Sequence, residues 1–181
     1  MPRKYSKRLV IDACIARAAG GDDATFPTSK HCRDFLRSVL NISHRIIMTP
    51  ELSAEWKKHQ SRFARGWLVS MQQRKKVIYL YSQTFEHLRT KINEEAVTEQ
   101  VRQAMIKDCH LLEASLGADS IIVSLDNKVK DLFTITFRDF REVMSIVWIN
   151  PDSDDVEQIL TWMKEGAKPE KQYRLGYKRE K

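Results

Sequence analysis

The chain has 181 residues and a formal charge of +7 at pH 7, a length that suits one domain able to bury roughly two-thirds of its unfolded surface. Its three cysteines, Cys14, Cys32 and Cys109, are odd in number and far apart, which fits a reducing, cytoplasmic setting better than a disulfide framework. A mean hydropathy of -0.48 and a pI near 9.4 disfavour a membrane protein and point weakly to a polyanionic partner.

The basic opening MPRKYSKR before LVIDACIARAA has the outline of a secretory signal, but Asp12 in the middle of so short an apolar run argues against one. Residues 8–12 (RLVID) form a β-branched run that stops on an acid, as a central strand buried on both faces would. Residues 20–23 read as a loop, and residues 29 to about 41 place Cys32, Phe35, Leu36, Val39 and Leu40 at helical spacing. Residues 45–49 (RIIMT) predict a second strand. Thr49 and Pro50 then open a long helix to about residue 73, since Thr caps free amides and Pro suits the first helical position. Its apolar residues Leu52, Trp56, Phe63, Trp67, Leu68 and Met71 keep a roughly 3.6-residue period, with a break expected near Gly66.

Residues 77–81 predict a short strand, and helices follow over about 84–92 and 98–116, the second ended by Gly117. Residues 120–125 (SIIVSL) form another buried strand, ending at Asp126 as the first ends at Asp12. Residues 146–149 give the last strand, and residues 151–165 a C-terminal helix packed on a domain of residues 1–150. Residues 166–181 turn polar and basic and are expected to form a flexible tail. This alternation predicts an α/β fold, a three-layer α/β/α sandwich with a mostly parallel central sheet. Right-handed crossovers bring the strand C-termini to one edge, where open α/β sheets bind ligands.

Acids that end buried strands need compensation: a proton, a cation or hydrogen bonds. Asp12 and Asp126 both stand at such ends, either as helix caps or as metal ligands. Glu55, near the start of the helix after RIIMT, and Asp108, in the helix before SIIVSL, lie within reach of the same edge. Glu51 competes with Glu55 but suits the field at a helix N-terminus. Asp119 competes with Asp126 but precedes its strand, which carries it to the opposite edge. Carboxylates without His or Cys partners suit Mg²⁺ or Mn²⁺. The adjacent pairs His31-Cys32 and Cys109-His110 lack zinc-ligand spacing.

The order of these pieces resembles the PIN-domain family, including VapC-type toxin ribonucleases. The resemblance rests on VID ending at Asp12, on TPELSAE ending at Glu55, and on DCHLLEASLGADSIIVSLD from Asp108 to Asp126. After the first acid many members carry Thr or Ser and then Asn, where this chain has Ala13 and Cys14. The resemblance implies an endoribonuclease with Asp12 and Asp108 as the chief ligands of Mg²⁺ or Mn²⁺. It makes Asp126 a second-site or water-mediated ligand and Glu55 a ligand or water-orienting base. A homodimer and an antitoxin partner also follow from it.

Ser124, two residues before Asp126, can orient a carboxylate, or is simply a small polar residue tolerated in a strand. Basic residues crowd Lys57, Lys58, Arg62, Arg65, Arg74, Lys75 and Lys76, and again Lys164, Lys168, Lys171, Arg174, Lys178, Arg179 and Lys181. Lys57, Lys58, Arg62 and Arg65, continuing from Glu55, are the expected RNA-guiding set; a solvated helix face is the plainer reading. Trp56 and Trp67 suit packing better than base stacking. A PIN-like module that binds RNA or protein without catalysis is the main alternative. A nucleotide-cofactor fold is disfavoured because no Gly-rich phosphate loop follows residues 8–12.

Overall fold

The computed structural model describes residues 6–153 and 155–177. Five strands form one parallel sheet: β1 (Arg8–Ile11), β2 (Arg45–Met48), β3 (Val77–Tyr79), β4 (Ile121–Val123) and β5 (Val147–Ile149), in the order β3-β2-β1-β4-β5. β1, β4 and β5 are buried from Leu9, Ile121 and Val147 onward, as near-continuous apolar runs in a sheet covered on both faces should be. The order reverses at β1, so the crevice between the C-terminal ends of β1 and β4 is the topological switch point.

One helical layer holds α1 (Ala13–Ala18), α2 (Pro27–Asn41), α3 (Pro50–His59) and α4 (Arg62–Gln73), which pack on one another and receive α9 (Val156–Lys164). The other holds α5 (Glu86–Glu95), α6 (Glu99–Leu116), α7 (Asn127–Thr136) and α8 (Arg141–Met144), with α6 lying against β1 and β4. The expected three-layer α/β/α sandwich is therefore present. No helix among the described residues is long and apolar enough to cross a membrane.

Besides the unpredicted helices α1, α7 and α8, three details differ from the sequence expectation. The helix from Pro50 breaks at Gln60 and Ser61, not at Gly66, which sits inside α4. Ser61 caps the new helix, its hydroxyl accepting from the Ala64 amide at 3.2 Å, while its own amide bonds to Ala16 O at 3.1 Å. A tertiary bond to α1 thus takes the place of an intrahelical one. Secondly, residues 167–177 do not loosen: Tyr173 and Leu175 are buried, and Leu175 N bonds to Ile146 O at 2.9 Å. An antiparallel bridge from Arg174 to Val147 covers the exposed edge of β5. Lys178, Arg179 and Lys181 lie outside the described residues.

Thirdly, two of the crowded cations are structural. Lys76 Nζ donates to the carbonyls of Val39, Leu40 and Ile42, and Arg74 Nη1 to Leu40 O at 3.2 Å. Both satisfy free carbonyls at the α2 C-terminus, where positive charge is favoured.

Between α5 and α6, buried Glu113 takes two bonds from Arg89, at 2.9 and 2.7 Å, and one from the Phe85 amide at 3.0 Å. Glu113→Ala strands the guanidinium, which is itself part-exposed, so unfolding in urea should show a loss of about 2–3 kcal/mol. A loss below about 0.5 kcal/mol would mean that water replaces the carboxylate at no cost.

Candidate functional site

Parallel pairing of Val10 with Ile122 and Ile11 with Val123 sets Asp12 opposite Ser124 at the switch point. Asp12 leaves the sheet with its amide bonded to Val123 O at 2.9 Å and caps α1, its Oδ1 accepting from the Cys14 amide at 3.2 Å. Its Oδ2 accepts from Ser124 Oγ at 2.6 Å and from Cys14 Sγ at 3.0 Å. The donors are held in turn: Ser124 Oγ accepts from the Asp126 amide at 3.1 Å, and Cys14 Sγ from the Leu125 amide at 3.2 Å. Burial pushes the Cys14 thiol well above its usual range and the Asp12 charge adds to this, so the sulfur keeps its proton and donates. Ser124 therefore orients the first acid, and Cys14 supplies the support that a hydroxyl would give there.

α3 is fixed against this edge by Trp56, whose Nε1 donates to Ile11 O at 2.8 Å, one residue before Asp12. That anchor carries half-buried Glu55 to the crevice. From the opposite layer α6 delivers Asp108. Burial is the main cause that pushes the Asp108 carboxyl up to about 6; Lys107 and His110 oppose it, and the charges of Asp12 and Glu55 reinforce it. Asp12, Glu55 and Asp108 thus share one electrostatic neighbourhood, built from β1, α3 and α6. His110 joins them, its Nε2 lying 3.5 Å from Glu55 Oε2.

Asp126 stands at the same edge through the Ser124 bond, but its Oδ1 caps α7, accepting from the Val129 amide at 2.9 Å. The cap reading therefore holds for Asp126, and for one oxygen of Asp12. Glu51 accepts from Ser82 Oγ at 2.6 Å in the first turn of α3. Asp119 binds Arg8, through its amide at 2.7 Å and its Nη2 at 3.1 Å, at the opposite sheet edge.

Among the described residues, no group of three or more His, Cys, Asp or Glu side chains is placed so that it could hold a metal ion. What fits a hard divalent cation is the donor chemistry: carboxylate oxygens within electrostatic reach of one another, one of them lifted in pKa chiefly by burial and further by its acidic neighbours. This has a pH signature. The folded value of Asp108 lies above its ordinary 3.8, so the group disfavours the fold increasingly from about pH 4 to 6, fully above 6 and not at all below 4. In metal-free buffer Asp108→Asn should be more stable than wild type at neutral pH and equal to it near pH 4. Equal stability at both would mean that burial does not penalise the Asp108 charge.

Lys57, Lys58, Arg62 and Arg65 are exposed and form no ion pair among the described residues. They sit on two helices joined at Gln60 and Ser61 rather than along one. Trp56 and Trp67 are 1% and 3% exposed and stack at 5.8 Å, so they belong to the core. A groove of about 970 Å³ begins at Asn127, next to Asp126, and runs past Lys130, Thr134, Gln158 and Arg174.

Sequence reasoning sets His110 aside as part of an adjacent pair without zinc-ligand spacing and reads Cys14 only as a departure from the family pattern. Helical periodicity does not join His110 to Asp108, because residues two apart do not share a face. Cys14 occupies a position where a hydroxyl or amide was the expected support, and only the fold reveals its thiol as a donor. Comparison with protein-family models and with curated proteins finds no match for the chain.

Proposed function

We propose that the chain is a metal-dependent endoribonuclease that hydrolyses RNA at the edge formed by Asp12, Glu55 and Asp108. The observation that carries this reading is the Asp12 carboxylate held at the switch point by Ser124 and Cys14, with Glu55 and Asp108 within electrostatic reach. The ordered resemblance to the PIN-domain family supports it and adds an antitoxin and a second copy of the chain as partners. A bound Mg²⁺ or Mn²⁺ would neutralise the scissile phosphate and favour ionisation of the attacking water.

The residues of the chain supply position and charge. Asp12 presents a carboxylate already oriented by Ser124 and Cys14, so little reorganisation accompanies binding. Asp108, its carboxyl pushed up to about 6, is largely ionised at neutral pH, and a bound cation would offset the cost of that buried charge. Glu55, half-buried at the start of the exposed basic surface, is suited to hold the nucleophilic water as ligand or base. Asp126 keeps Oδ2 outside its capping bond, compatible with the water-mediated role that the resemblance gives it. Lys57, Lys58, Arg62 and Arg65 would draw the phosphate backbone toward Glu55 by releasing counterions.

Water attack with departure of the 3′ oxygen predicts products with 5′-phosphate and 3′-hydroxyl ends. Mass spectrometry of the digest tests this, and 2′,3′-cyclic phosphate ends would sink it. Reversing charge at Lys57, Lys58 and Arg62 together should weaken RNA binding and lower the salt slope by about 3. An unchanged slope would return them to a solvated face. The commitment of Asp126 to its helix cap favours the alternative, a non-catalytic RNA-binding or protein-interaction module, and intact RNA in the digest would select it.

A further inference from the structure

His110 is 8% exposed, and its Nδ1 lies 2.9 Å from Lys107 O. A carbonyl only accepts, so Nδ1 carries the proton and, in the neutral ring, Nε2 presents a bare lone pair. That nitrogen is buried and has no hydrogen-bond partner. It points instead at Glu55 Oε2, 3.5 Å away, too far for a good hydrogen bond and with a second electron-rich atom facing it. Asp108, two residues away on α6, and Glu51, on the first turn of α3, lie within electrostatic reach of the ring. A buried lone pair opposed to carboxylates is a destabilising arrangement unless a proton or a metal ion sits between them, two cases that spectroscopy of a bound ion separates.

The spacing suits a cation. Two ligand atoms each about 2.1 Å from one ion, at angles between roughly 90° and 110°, lie about 3.0–3.5 Å apart. The Nδ1 bond to a backbone carbonyl is the support that metal-bound imidazoles commonly have, since it fixes tautomer and ring plane.

We infer that His110 Nε2 is a nitrogen ligand of the cation site, shared with Glu55, which makes the site a mixed nitrogen and oxygen site that prefers Mn²⁺ to Mg²⁺. The inference rests on the cation-dependent reading proposed above and changes its ligand set. An imidazole gives first-row transition ions an advantage that Mg²⁺, with its preference for oxygen and water, does not share.

Electron spin-echo spectroscopy of the full chain loaded with Mn²⁺ tests the inference without any measurement of activity. Wild type should show ¹⁴N modulation from a directly bound imidazole, replaced by the ¹⁵N pattern when histidine is ¹⁵N-labelled. His110→Gln should lose the modulation and bind Mn²⁺ about tenfold or more weakly, with Mg²⁺ affinity moved much less. The labelled wild-type spectrum stands even if the variant folds poorly. Mn²⁺ bound without histidine nitrogen coupling, or coupling that persists in His110→Gln, overturns the inference and leaves His110 an imidazolium partner of Glu55. No Mn²⁺ binding at all overturns the cation-dependent reading itself, and the inference with it.

Discussion

Asp12→Asn is expected to lower RNA cleavage about a thousandfold or more while the chain stays folded. Removing one negative ligand from the site withdraws about 4 kcal/mol of transition-state stabilisation, in the range that metal-assisted charge neutralisation supplies. The fold should tolerate the change because Asn caps helices about as well as Asp, so Oδ1 can still accept from the Cys14 amide. The Ser124 hydroxyl and the Cys14 thiol, which now point at Oδ2 from 2.6 and 3.0 Å, can rotate to meet an amide nitrogen. A stability loss of about 1 kcal/mol or less follows. Steady-state cleavage and urea unfolding, measured on one preparation, separate the two effects. Full activity in a folded Asp12→Asn protein would make the residue a cap and nothing more.

Trp56→Ala should have the largest effect on stability, about 3–5 kcal/mol, lowering the melting temperature by about 10 °C. The indole is fully buried, stacks on Trp67 and donates at 2.8 Å to Ile11 O. Its loss opens a cavity between α3 and α4 and frees a carbonyl one residue from Asp12. Trp56→Phe keeps much of the stacking but loses the hydrogen bond, so a smaller drop of about 1–2 kcal/mol is expected. Scanning calorimetry reads both. A Trp56→Ala protein that melts like wild type would mean that the indole is not a core anchor, and would reopen base stacking as its role.

The strands were legible because a sheet covered on both faces demands unbroken β-branched runs, and RLVI, RIIM, IIV and VWI stand out against polar surroundings. α1 was hidden because Ala13–Ala18 continues the apolar strand in small residues, and α7 because its Val129 and Phe133 follow directly on an acid already taken as a strand end. The break at Ser61 left no mark in the helical period: Trp56 and Trp67 are about three turns apart and bury against each other across it. What ends α3 is a bond to Ala16, a partner that local sequence does not name.

The candidate site divides along the same line. Asp12 and Asp126 could be placed from their positions after buried runs, and Glu55 and Asp108 from the helices that flank those runs. The work each side chain does was legible only in part, as the carboxylate-orienting reading of Ser124 and the cap reading of Asp126. Ser124 proved to hold Asp12, Asp126 is spent partly on α7, and Cys14 and His110 act through a thiol proton and a ring nitrogen whose neighbours come from β4 and α3. Apart from the Asp126 cap, those contacts cross more than 40 residues of sequence, beyond the range of any periodic pattern.

The most direct test incubates the purified full chain with varied single-stranded RNAs, in Mn²⁺ or Mg²⁺ and in EDTA. Cleavage with metal, arrest by EDTA and recovery when metal is restored in excess is the predicted result. RNA that is bound but left intact by the metal-replete protein would contradict the account.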